Sequence, residues 1–234
     1  MLSREIKKPD LNEKLAEFIG VHIGDGTLTP NLLRITGNKI YDENYFLYLK
    51  NLVFELFELR ASILYDKRKD NQRNNILLSI ASKNLAHFLH REFQIPYGNK
   101  IKNECSIPGK IIENRELSIA CLRGLVDTDG SLSRRDNYMC LAFDSHNPVL
   151  LEQVWKIGSD LGIFTYRSKD QIGTNSWKNI QKYFEIVGSS NLSTIVRFKE
   201  RLLNNQRLYK YQVLDYFDKY KKTELPFRVR GLAV

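Results

Sequence analysis

Apolar residues recur at helical spacing in "PDLNEKLAEFIGVHIG" (9–24), which predicts a first helix, with Asp10 as its N-cap, Glu13 three residues on and Gly26 as its stop. The pattern then predicts a strand around "NLLRITG", an amphipathic helix in "ENYFLYLKNLVFELF", strands in "ASILYDKR" and "NNILLSIA" about a polar "KDNQRN" turn, and a helix in "SKNLAHFLHREF". The same order returns further on: a helix to Thr128, strands around "SLSRRD" and "YMCLAFDS", a helix in "NPVLLEQVWKIGSDLG", strands in "IFTYRSK" and "KYFEIVGS", and a helix in "NLSTIVRFKERLL". A further amphipathic helix is expected in "YKYQVLDYFDKYKK", followed by a basic tail that packs across the second half.

This is an internal repeat. The fold class expected is α+β: two pseudo-symmetric mixed repeats, each with an antiparallel sheet, because the links between strands are short. Pro96, Gly98, Pro108 and Gly109 mark a linker, giving repeats over 1–98 and 116–234 joined by 99–115.

Two of the helices end in Asp-Gly. With "LAEFIGVHIGDGTL" (15–28) set over "IACLRGLVDTDGSL" (119–132), an offset of 104, five of fourteen positions are identical. Small residues recur every fourth position, at Ala16, Gly20 and Gly24 and at Ala120, Gly124 and Thr128, so each set forms one stripe on its helix. Glycine within a helix costs about 1 kcal/mol relative to alanine, and close approach of the two helices compensates it. Stripe against stripe, the helices bring Asp25 and Asp129 side by side. Each carboxylate then faces the negative end of a helix dipole and a like charge, and divalent cations relieve both. Hard oxygen donors suit Mg²⁺, or Mn²⁺, beside a phosphodiester.

Composition sharpens the partner. Thirty-six Lys and Arg against 27 Asp and Glu give a net charge of +9, which favours a polyanion, with nucleic acid leading. Cys105, Cys121 and Cys140 form neither a disulfide framework nor a zinc pattern, and no apolar run suggests a signal peptide or membrane span. An intracellular location is expected, cytoplasmic or organellar if the gene lies in an intron.

"FIGVHIGDG" (18–26) and "LRGLVDTDG" (122–130) resemble the two copies of the motif that defines the LAGLIDADG homing endonucleases, the second copy more closely. The resemblance implies a monomer of two repeats whose sheets saddle double-stranded DNA, cutting one strand per repeat of a long pseudo-palindromic site. It implies catalysis by Asp25 and Asp129, with metal held by them and by the preceding Gly24 and Thr128. Asp127, matched by Ile23 in the first copy, is expected to serve local hydrogen bonding instead. A basic residue from each half is expected near the scissile phosphates, and Lys100 and Lys210 are the candidates, with a solvated surface lysine as the competing reading for each. An RNA maturase acting on its host intron RNA and a non-catalytic DNA-binding regulator are the alternatives. The chain starts at Met, and "SHNP" (145–148) is internal with no Cys, Ser or Thr after its Asn, so a free-standing endonuclease is expected rather than an intein.

The groove-reading candidates lie on or beside the strands: Arg34, Thr36 and Asn38; Tyr65, Lys67, Arg68, Gln72 and Arg73; Arg134, Arg135, Asn137 and Tyr138; Arg167, Lys169 and Gln171. Arg, Lys, Asn and Gln suit major-groove edges and phosphates, although a solvated sheet face accounts for any one of them equally well. His22, His87 and His90 are expected to be structural or exposed.

Overall fold

The computed structural model describes residues 5–65 and 74–229. Helix α1 (Glu13–Asp25) is capped by Asn12, whose side chain accepts from the Leu15 backbone. The cap expected at Asp10 lies too early in the chain, since only the residue just before the first helical one reaches that amide. Gly26 ends α1 in an extended conformation and opens strand β1 (Gly26–Thr29), a strand that four residues of alternation were too few to reveal. It is glycine because a Cβ there would lie 2.1 Å from His22 Nδ1 and 2.4 Å from the His22 carbonyl oxygen.

Strands β2 (Leu32–Asn38), β3 (Ser62–Tyr65) and β4 (Asn75–Ala81) complete an antiparallel sheet of order β1-β2-β4-β3, with α2 (Glu43–Phe57) and α3 (Lys83–Phe93) packed to it. A short helix α4 (Gly109–Ile112) sits in the expected linker, and α5 (Arg115–Asp129) opens the second repeat. There β5 (Gly130–Arg135), β6 (Tyr138–Asp144), β7 (Tyr166–Arg167) and β8 (Gln171–Thr174) form a sheet of the same order, β5-β6-β8-β7, also antiparallel, with α6 (Pro148–Asp160) in the place of α2. The registers match too: Gly26 pairs with Ile35 and Gly130 with Phe143.

One expected strand is a helix. "KYFEIVGS" falls in α7 (Trp177–Ile186), capped by Ser176 Oγ, which accepts from Asn179 N. Its β-prone residues imitate alternation over a short window, but burial of Ile180, Tyr183 and Phe184 follows the helical period. The strand lies earlier, at Gln171–Thr174. Two helices, α7 and α8 (Leu192–Asn204), follow β8 where the first repeat has α3 alone, and α8 shares with α3 a left-handed C-cap, Asn205 in the one and Gln94 in the other. The helix expected over 209–222 is a 3₁₀ helix (Lys210–Tyr216) followed by α9 (Phe217–Tyr220). Val213 and Tyr220 pack there with Leu192, Val196 and Leu208 in a small separate core. Phe227 of the tail exchanges backbone hydrogen bonds with Ser189 and lies beside Phe184 and Phe198.

The main core surrounds α1 and α5. Every residue of α1 from Leu15 to Ile23 is buried, as expected of a helix at the centre of a domain rather than on its surface. A Cβ on Gly124 would lie 2.2 Å from the Glu17 carbonyl oxygen, while the matching contact of Gly20 is with Cys121, so the two helices meet backbone to backbone in a reciprocal way. No helix among the described residues is long and apolar enough to cross a membrane.

Candidate metal and nucleic-acid site

The crossing of α1 and α5 fixes the positions of the two acids. A Cβ on Gly24 would lie 2.0 Å from Thr128 Oγ1 and 3.4 Å from Asp129 Oδ2, so the C-terminal ends of both helices converge with their carboxylates adjacent. Neither Asp25 nor Asp129 accepts a hydrogen bond among the described residues. Burial, then the charge of Asp129, pushes the Asp25 carboxyl up to about 7 against the pull of Lys100. Burial pushes Asp129 up to about 6, with Lys100 opposing and Asp144 adding to the rise.

Two cavities of about 400 Å³ each flank this pair. One joins Asp25 to Lys210, and the other joins Asp129 to Lys100. Each therefore pairs a carboxylate from one repeat with a lysine of the other, Lys210 just after α8 and Lys100 after α3. Lys100 is partly buried and donates to the backbone carbonyls of His22 (3.2 Å), Ile23 (2.7 Å) and Gly24, capping the negative end of α1. Burial lowers its pKa, while Asp129 and Asp25 hold the charge in place. Lys210 is exposed, with Nζ 4.7 Å from the centre of the Tyr41 ring.

The other two residues expected at the metal are already engaged in part. The Gly24 carbonyl accepts from Lys100, and the Thr128 hydroxyl donates back to Gly124 and Leu125 carbonyls, both at 3.0 Å. Among the described residues no group of three or more His, Cys, Asp or Glu side chains forms a ready metal cage. Two free carboxylates with room beside them still fit Mg²⁺, which is commonly held by one or two carboxylates and completes its shell with water and phosphate oxygens.

Asp127 is buried, with one oxygen accepting from Ser189 Oγ (2.5 Å) and the other from Ser190 N (2.6 Å). Burial pushes it up to about 7. His22 is fully buried, its ring nitrogens have no partner among the described residues, and burial pushes its pKa down to about 3, so it is a neutral core side chain.

The strand residues divide into four groups. Arg34 and Thr36 project from the exposed face of β2, opposite the buried Leu33 and Ile35, and Arg135, Asn137, Tyr138 and Lys169 are also exposed. Others are turned to local work: Asn38 Oδ1 accepts from Ile40 N in a turn, Tyr65 donates to Glu43 (2.6 Å), Gln171 donates to Asp144 (2.7 Å), and Arg167 pairs with Glu152. Arg134 does not stand on an open face. It is half-buried, its guanidinium 4.3 Å from the centre of the Tyr209 ring and donating to the Arg207 carbonyl, because the segment after α8 folds over β5. Lys67, Arg68, Gln72 and Arg73 lie outside the described residues.

Sequence reasoning missed a buried ion pair between the repeats. Arg123 of α5 donates through Nε (3.0 Å) and Nη2 (2.8 Å) to Glu17 of α1 and through Nη1 to the Val187 carbonyl (2.9 Å). Glu17 also accepts from Tyr48 (2.9 Å) and Ser190 (2.6 Å). Two opposite charges inside otherwise apolar motif helices were the available signal.

Two repeats of one plan, joined along paired small-residue helices that end in free carboxylates, define the class. Residues 116–202, in the second repeat, match the family model of the LAGLIDADG-like domain, and the first repeat is built with the same strand order. Full-length DUF199/WhiA from Thermatoga maritima is similar in fold, with a TM-score of 0.54 at 14% identity over 91% of this chain and 68% of that one. The homing endonuclease I-DmoI in complex with DNA and Ca gives a TM-score of 0.47 at 20% identity over 74% of this chain and 87% of that one. The ATP-dependent DNA helicase Hel308 of Thermococcus kodakarensis is 27% identical over 158 residues, 65% of this chain; the chain spans only 13% of that protein's length.

Proposed function

We propose that the protein is a divalent-metal-dependent endonuclease that cuts double-stranded DNA at a specific, long, pseudo-palindromic site, one strand per repeat. The observation that carries this reading is the pair of adjacent, uncommitted carboxylates, Asp25 and Asp129, each in its own cavity with a lysine. Apposed, half-buried acids with no hydrogen-bond donor among the described residues are costly unless a cation shares their charge.

Asp25 and Asp129 would hold the cation, Mg²⁺ or Mn²⁺. When bound, it supplies Lewis acidity toward the phosphoryl oxygens and toward water. The chain's own part is to place and balance charge. Lys100, fixed by three carbonyls of α1, and Lys210 offer positive charge where a phosphodiester gains negative charge on attack. The net charge of +9 supplies the unspecific attraction to DNA, and the exposed Arg34, Thr36, Arg135, Asn137, Tyr138 and Lys169 supply groove contacts.

A DNA-binding module without catalysis is the second reading, favoured by the engagement of Lys100 with backbone carbonyls rather than with open space. Incubation of the protein with a random-site duplex library in Mg²⁺, Mn²⁺ or chelator, with sequencing of product ends, separates the two. Metal-dependent ends clustered on one site are expected; site-selective retention without cleavage in either metal favours the second reading.

A further inference from the structure

The last turn of an α-helix leaves its carbonyls without backbone partners, and where α1 and α5 meet each helix end has a side-chain donor of its own. Lys100 serves the α1 carbonyls. On α5 the donor is Asn191, whose Nδ2 donates to the Asp127 carbonyl (3.3 Å), two residues before Asp129. The same Nδ2 donates to Asp42 Oδ1 (3.3 Å). Asp42 comes from the first repeat, where it precedes α2, and it lines the cavity of Asp25. One amide of the second repeat thus reaches both the helix that ends in Asp129 and a wall of the cavity that holds Asp25.

Asn191 is itself held in place. It is 6% exposed, and its Oδ1 accepts from Ser193 N (3.0 Å) as the N-cap of α8. Ser189 and Ser190, just before it, are fully buried; both donate to Asp127, and Ser190 Oγ donates across the repeats to Glu17 of α1. Behind them Gly188 sits at φ +76°, where a Cβ would lie 2.2 Å from the Phe227 carbonyl oxygen, so the tail backs the loop. The carboxylates beyond this loop are like charges side by side, and repulsion drives them apart unless the structure holds them.

We propose that Asn191 is a positioning residue, which fixes the spacing of Asp25 and Asp129 by tying the end of α5 to Asp42 across the two repeats. It donates to neither catalytic candidate and acts through the Asp127 backbone on one side and the start of α2 on the other. The consequence for cleavage rests on the nuclease reading; the tie itself does not.

The test uses the full chain and the variant Asn191→Ser. Serine caps a helix about as well as asparagine but is too short to reach Asp42, so melting close to the parent is expected. Carboxyl-carbon NMR without metal follows the two acids directly, and the Asp25 midpoint is expected to fall by about half a pH unit as the like charges separate. On the selected target in Mg²⁺, kcat is expected to fall about tenfold with KM within about twofold, because misplaced reacting groups cost rate rather than binding. Asn191→Ala loses the cap as well and should melt lower, while cutting no more slowly than Asn191→Ser. Unchanged midpoints for both acids in Asn191→Ser overturn the tie, as does a rate that falls only in step with melting temperature across the two variants. A parent protein that cuts no duplex in either metal removes the nuclease reading alone, and the NMR arm then decides.

Discussion

A Cβ on Gly20 would lie 2.1 Å from the carbonyl oxygen of Cys121, well inside any tolerable contact, so the two motif helices leave no room for a side chain where they cross. Gly20→Ala gains about 1 kcal/mol of helix propensity yet forces the helices apart, and overpacking of this kind costs about 1–3 kcal/mol or more. Thermal melting should show a net loss of stability for Gly20→Ala. Gly109→Ala, whose nearest neighbour is a side-chain oxygen at 3.8 Å, should melt close to the parent.

The same interface holds the Glu17–Arg123 pair, with side chains 1% and 2% exposed. Arg123→Met leaves Glu17 buried without its cation and should cost about 3–5 kcal/mol, the usual penalty for breaking rather than replacing such a pair. Glu17→Gln combined with Arg123→Met should recover part of that loss. A denaturant-based double-mutant cycle measures the coupling, and additive losses would contradict it.

Acidity should act on stability in an unusual direction. Asp25 and Asp127 are raised to about 7 and Asp129 to about 6 from an ordinary value of 3.8, so between those limits the folded state binds more protons than the unfolded one. These groups therefore support the fold at low pH, and the support is lost as pH rises from about 4 through about 7. Without metal, Asp25→Asn should raise the melting temperature by a few degrees at pH 8 and change it little at pH 4. Mg²⁺ should stabilise the parent at pH 8 and not at pH 4; equal effects at both values would contradict the charge account.

The two lysines should separate under mutation. Lys100→Met removes the cap on the α1 carbonyls and should lower stability by about 1 kcal/mol, whereas exposed Lys210→Met should not. Unfolding curves of the two variants check this, and equal stability would deny the cap.

What the sequence disclosed depended on how far each signal reached along the chain. Gly20, Gly24 and Gly124 stand at a regular spacing within apolar helices, and both the packing of α1 on α5 and the meeting of Asp25 with Asp129 followed from that alone. The repeat likewise announced two antiparallel sheets, although the four residues of β1 were lost in the end of α1, and the aromatic "KYFEIVGS" imitated a strand where α7 lies. Arg134 was misplaced for another reason. Strand alternation says nothing of what later segments cover, and here the chain around Tyr209 closes over it. The Glu17–Arg123 pair and the committed state of Asp127 depend on partners far along the chain, among them Ser190, which no local pattern connects.

The central claim, that Asp25 and Asp129 each serve one strand, is tested most directly by strand-resolved cleavage with Asp25→Asn and Asp129→Asn on the selected target in Mg²⁺. Loss of double-strand cleavage in both variants is expected, with DNA binding largely intact and any residual nicking confined to opposite strands. Full double-strand cleavage by either variant would contradict the account.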